Sequence, residues 1–104
     1  VLGALLLTPP PDVESEQAAR QTAIMADAAC AVAFSTESAK HKTYSKEQMD
    51  RGWLFFVGRM LGRHGTWDEW GVILEDASLA MKPGEAAALV ERCAAEMYKG
   101  GIPL

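Results

Sequence analysis

The chain has little of what holds metals or forms covalent intermediates. Among its 104 residues are two histidines, His41 and His64, and two cysteines, Cys30 and Cys93, with no Cys-x-x-Cys. A zinc site takes at least three well-placed ligands, so no metal centre is expected. No serine or cysteine lies in a nucleophile motif, and no glycine-rich loop follows a strand pattern that would cradle phosphate. The neighbouring acids Asp68 with Glu69, and Glu75 with Asp76, point to different sides of a helix, and acids at a helix start serve its dipole. The reading is a non-enzymatic protein with no cofactor. There is also no period-2 alternation of useful length, which excludes a sheet and leaves an all-α class. A net charge of −4 lacks the basic footprint of a nucleic-acid binder, so no nucleic-acid partner is expected. The apolar run from Val1 to Leu7 is too short to span a bilayer.

What is present is organised around Tyr44 to Gly65, which combines a helix start, dense apolar content and basic charge. Ser45 and Gln48 form a capping box, with Tyr44 and Met49 at the staple positions. Met49, Trp53, Phe56, Val57 and Met60 recur at three- and four-residue spacing, and Leu54 and Leu61 widen that face, so this is expected to be the central, buried helix. Gly62 suits its C-terminal cap, with Arg59, Arg63 and His64 near the negative end of the dipole.

The remaining elements follow from punctuation. Residues 1–11 are an apolar leader and a proline link, and 12–104 form one helical domain. Asp12 is placed to cap a first helix over about 13–34, whose inner stripe reads Ala19, Ala23, Ala26, Cys30 and Ala33, with Ile24, Met25 and Val32 beside it. Such small residues admit a close neighbour, and Gly52, Gly58 and Gly62 offer a matching surface. Residues 35–43 are a polar loop in which His41 is given no role. After the second helix (46–62), Thr66 and Glu69 make a second capping box for a third helix (67–81), with Trp70, Ile73, Leu74, Ala77, Ala80 and Met81 inward. A short turn makes these two helices antiparallel neighbours. Pro83 is placed to open the last helix (83–99), whose stripe is Ala86, Val90, Cys93, Ala94 and Met97, and Gly100, Gly101 and Pro103 stop it.

The expected fold is therefore a single-domain four-helix bundle with short loops. Cys30 and Cys93 lie late in the first and last helices on inner faces, and a disulfide between them is expected, worth roughly 4 kcal/mol by loop entropy. The leader reads as the end of a signal peptide, which implies an exported, periplasmic protein in which a disulfide persists.

Charge is segregated: Lys40 to Arg63 holds six Lys/Arg against two Asp/Glu, or +4, leaving four against twelve, or −8, elsewhere. On the second helix Arg51, Phe55, Arg59 and Arg63 recur every four residues. Two readings stand: a basic face paired to acids of neighbouring helices, or an interface in which Phe55, Arg51, Arg59 and Arg63 join the apolar Leu5, Leu6 and Leu7. Arg63 and His64, near Trp67 and Trp70, form a candidate anion site.

The run Phe55-Phe56-Val57-Gly58-Arg59-x-x-Gly62-Arg63, with Arg92-Cys93 and the apolar leader, resembles small uncharacterised exported bacterial helical proteins with one cysteine pair, over roughly residues 28–98. That resemblance implies an exported helical bundle and no activity. In size and single disulfide the chain is also loosely similar to periplasmic acid-stress chaperones of the HdeA type. Three roles follow as expectations: a protein-binding or self-associating envelope module (a homo-oligomer, or a complex with another envelope protein), an acid-activated holdase, or a small-ligand carrier.

Overall fold

The structure, a computed structural model, describes residues 11–64 and 68–104. Four helices follow one another: α1 (Pro11–Glu37), α2 (Lys46–His64), α3 (Trp70–Ala80) and α4 (Glu85–Lys99). No strand occurs among the described residues. The four-helix reading holds, and Cys30 and Cys93 are joined, tying α1 to α4 across 63 residues of sequence.

The centre of the bundle is α1, where the sequence pointed to α2. α2, α3 and α4 each pack on α1. α2 carries the larger apolar side chains, but α1 has the small ones that let three helices approach one rod. Its buried positions are Ile24, Asp27, Ala28, Cys30, Ala31, Ala33 and Phe34. The expected stripe was rotated from the real one, since Ala19 and Ala26 are exposed and Ala23 is half-buried. With alanine spread around the helix, periodicity does not single out a face. α1 is already helical at Pro11, a residue that suits a first helical position, and it continues to Glu37, three residues past the expected end.

α2 begins as its capping box dictates: the Ser45 N–H donates to Gln48 Oε1 at 2.8 Å, and the Gln48 N–H donates to Ser45 Oγ at 3.2 Å. Met49, Phe56, Val57 and Met60 are buried and Trp53 is half-buried, as their spacing predicts. The Phe34 ring stacks on Phe56, centroids 5.8 Å apart. It fits because position 52 is glycine: a β-carbon there would stand 2.6–2.7 Å from three Phe34 ring carbons. Gly58 and Gly62, expected to pack likewise, face outward, with nothing within 4 Å of where a β-carbon would be. Gly62 does not end the helix, which runs on to His64. Leu54 does not widen the inner face but projects into solvent.

Thr66 and Trp67 lie outside the described residues. Glu69 is not the reciprocal member of a capping box. It occupies the N-cap of α3 itself, with φ 64° and no side-chain cap, and α3 starts at Trp70. α3 and α2 do not pair along their lengths: α3 lies on α1, with Met60 and Leu61 meeting Ile73 and Leu74 in a second small core. Ile73 and Ala77 are buried, Leu74 and Met81 half-buried, and Trp70 and Ala80 exposed. Pro83 precedes the first helical position of α4 rather than filling it. Gly84, at φ 81°, makes the entry, and the Lys82 N–H donates back to Glu85 Oε2 at 2.9 Å. All five expected positions of α4, and Leu89, are buried. Its end is a Schellman turn: Gly101, at φ 83°, donates to the Tyr98 carbonyl, and Ile102 donates to that of Met97.

Candidate functional site

Asp27 is the one buried charged residue of the described chain, 1% exposed in the middle of α1. Arg59 of α2 meets it through two donors, Nε at 3.0 Å and Nη2 at 2.8 Å, both to Oδ1. The same Nη2 reaches Glu96 of α4. Arg63, one turn on, places Nη1 3.0 Å from Asp27 Oδ2. That contact is an ion pair off the hydrogen-bond direction, because the Arg63 group donates to the Ala23 carbonyl at 3.3 Å. The Arg59 guanidinium also lies 5.3 and 5.1 Å from the centroids of Phe55 and Phe56, which meet edge to face at 4.9 Å. Burial disfavours the Arg59 charge, but hydrogen bonds and charge from Asp27 and Glu96 outweigh this, so its pKa stands above the ordinary arginine range.

This network takes up three of the four described residues of the expected interface. Arg59 and Arg63 are the cations that α1 and α4 need, and Phe55 is half-buried beneath Arg59. Arg63 holds an anion, and it is the chain's own Asp27, while His64 closes α2 half-buried. Arg51 alone of that group stays exposed with no partner among the described residues. Leu5, Leu6 and Leu7 lie outside those residues. Sequence reasoning missed Asp27. The available signal was an acid on the same side as Cys30 and Phe34, where a charge requires a partner.

His41 has more structure around it than a solvated loop residue. Its side chain is buried, Nδ1 accepts the Thr43 N–H at 3.2 Å, Nε2 lies 3.4 Å from Glu91 Oε1, and the ring stacks on Tyr44. Both ring nitrogens are engaged, so the loop between α1 and α2 is pinned to α4. No group of three potential metal ligands occurs among the described residues.

The outer surface is where apolar groups remain. Leu54 on α2 is 63% exposed, and Val72 and Leu79, seven residues apart on one side of α3, are 57% and 77% exposed. Between α2 and α3 lies a cleft of about 280 Å3, with Trp53 on one wall, Leu74, Glu75 and Ser78 on the other, and Val32 among its floor residues on α1. It borders a larger cleft of about 480 Å3 that reaches Met81 and Pro83. A third, also about 480 Å3, lies between Tyr44 and Tyr98. All are open to solvent. No described helix is long and apolar enough to cross a membrane. No family model, curated protein or solved structure matches the chain.

Proposed function

We propose that the chain is a non-enzymatic, exported interaction module that works by protein contact through the shoulder formed by α2 and α3. The observation that carries this is the exposure of Leu54, Val72 and Leu79 on neighbouring helices. α3 buries Ile73 and Ala77 toward α1 and turns Val72 and Leu79 outward between Glu75 and Asp76, a small apolar patch with a charged rim of the kind found at interaction sites. Export is supported by the Cys30–Cys93 disulfide, a bond that persists in oxidising compartments. The test is site-specific photo-crosslinking in the producing cell from position 79, and from position 92 on the exposed side of α4 as control. Discrete protein adducts from 79 and none from 92 are expected. Equal labelling from both, or none from 79, contradicts the reading.

A second reading, an acid-activated holdase, is favoured by the Asp27–Arg59–Glu96 network. Were these carboxylates to lose their charge in strong acid, two partly buried arginines would lack counter-charge, which would loosen α1 from α2 and uncover the core. An aggregation assay with a model client at pH 2 and pH 7 tests it, and equal aggregation with and without the protein at low pH disposes of it.

A further inference from the structure

We infer that the partner seated on the α2/α3 shoulder is a second copy of this chain, related by a two-fold axis. This rests on the interaction-module reading and names its partner. A two-fold interface must be self-complementary, so that one patch carries both members of each contact. This patch does. It has projecting side chains, Leu54 on α2 and Leu79 on α3, and a cleft of about 280 Å3 between these helices, in which Val32, Trp53 and Leu74 are flanked by Ser35, Thr36, Glu75 and Ser78, to receive a side chain from a second copy.

It is also self-complementary in charge. The α2 rim carries Arg51, exposed and without a partner among the described residues, and the α3 rim carries Glu75 and Asp76, likewise exposed and unpartnered there. The other arginines of α2, Arg59 and Arg63, are spent inside the subunit. Rotation about a two-fold between the helices sets α2 of each copy over α3 of the other, which brings Arg51 to the Glu75 side twice. The backbone of α2 permits the approach. Gly58 sits four residues beyond Leu54, exposed, with nothing inside the subunit near its missing β-carbon. A mid-helix glycine is costly in itself, and no contact within the subunit requires this one.

The test is sedimentation equilibrium of the disulfide-bonded chain, with helicity and thermal midpoint measured in parallel to show that each variant folds. Wild type forms a dimer below about 1 mM. Leu79→Glu, at a side chain 77% exposed, raises the dissociation constant at least about tenfold, with the midpoint unchanged at concentrations where both proteins are monomeric. Arg51→Glu and Glu75→Arg each weaken the dimer, and the double variant Arg51→Glu/Glu75→Arg recovers it. A wild-type monomer at about 1 mM overturns the inference, as does a dimer indifferent to Leu79→Glu or a charge swap that fails to restore association. Adducts from position 79 to a different protein, with the purified chain monomeric, overturn the second copy while leaving the interaction module standing.

Discussion

Replacing Arg59 with methionine should destabilise the fold more than neutralising the acid it holds. The carboxylate of Asp27 is 1% exposed and cannot turn to water, while the Arg59 side chain is 28% exposed and keeps Glu96 as a second partner. Arg59→Met therefore strands a buried charge with only the off-axis contact from Arg63. Stranding a buried charge costs about 3–5 kcal/mol. The surviving Arg63 and the partial exposure of the site place this case at the lower end, about 3 kcal/mol. Asp27→Asn keeps an oxygen to accept from Arg59 but sets an amide donor where Oδ2 faces Arg63; because Arg63 is 37% exposed and can turn to water, the cost is mainly lost charge assistance, about 1–2 kcal/mol. The double variant has neither charge to strand, so its cost falls short of the sum of the singles by at least about 1 kcal/mol. Urea unfolding at pH 7 with the disulfide intact reads all four proteins, provided the slope stays constant. Thermal midpoints should follow at about 4–8 °C per kcal/mol for a domain of this size. Costs that add within about 0.3 kcal/mol, or Asp27→Asn proving worse than Arg59→Met, refute the reasoning.

Replacing both cysteines with alanine should cost about 4 kcal/mol from the loop closed across 63 residues; a loss under about 1 kcal/mol in urea unfolding contradicts this. Gly52→Ala should lower stability in urea unfolding, because overpacking against Phe34, about 1–3 kcal/mol, exceeds the helix propensity gained, while Gly58→Ala at low concentration should raise stability by about 0.5–1 kcal/mol; equal signs for the two sink the packing argument. Arg59 has a raised pKa, so its contribution is complete below the ordinary arginine range and is lost only as pH climbs through the raised value; the Arg59→Met penalty should be flat from about pH 7 to 10, and a penalty that shrinks in that window contradicts the shift. Native-state hydrogen exchange should show α3 opening at lower free energy than the buried turns of α2 and α4, since among the described residues α3 has neither disulfide nor ion pair; equal protection in all three refutes it.

The parts of the fold that were legible in the sequence are those fixed by local chemistry. Ser45 and Gln48 announce a cap because both bonds close within four residues, and Gly100 with Gly101 announce an end for the same reason. The disulfide was legible because two cysteines on inner faces of the outermost helices have one way to pair. Facing was legible on α4, where apolar and charged residues alternate sharply, and illegible on α1, where alanine sits on every side. The second box, Thr66 with Glu69, looked as good as the first, yet Glu69 has left-handed backbone and caps nothing by its side chain. The regular row Arg51, Phe55, Arg59 and Arg63 has the spacing of an outward interface. What periodicity could not convey is that two of these arginines have a counter-charge, because Asp27 lies 32 residues from Arg59 and its burial is a property of the assembled bundle.

The distribution of restraints divides the molecule. α1, α2 and α4 are held by apolar packing, by the sulfur bridge and by a guanidinium that reaches two helices at once, with His41 adding a further contact to α4. α3 packs on the bundle through Ile73, Ala77 and Leu74, and the same eleven residues carry Val72 and Leu79, the latter the most exposed of the large apolar side chains among the described residues. A helix needed only for stability would gain from charged residues at 72 and 79, which cost nothing inside the subunit and improve solubility. Valine and leucine stand there instead, which is the arrangement the proposed interface would cover. The weakest-held element and the apolar shoulder coincide, so association at the shoulder would stabilise the part of the fold that its own restraints leave least secured, by the mass-action linkage through which any partner of the native state adds to its stability.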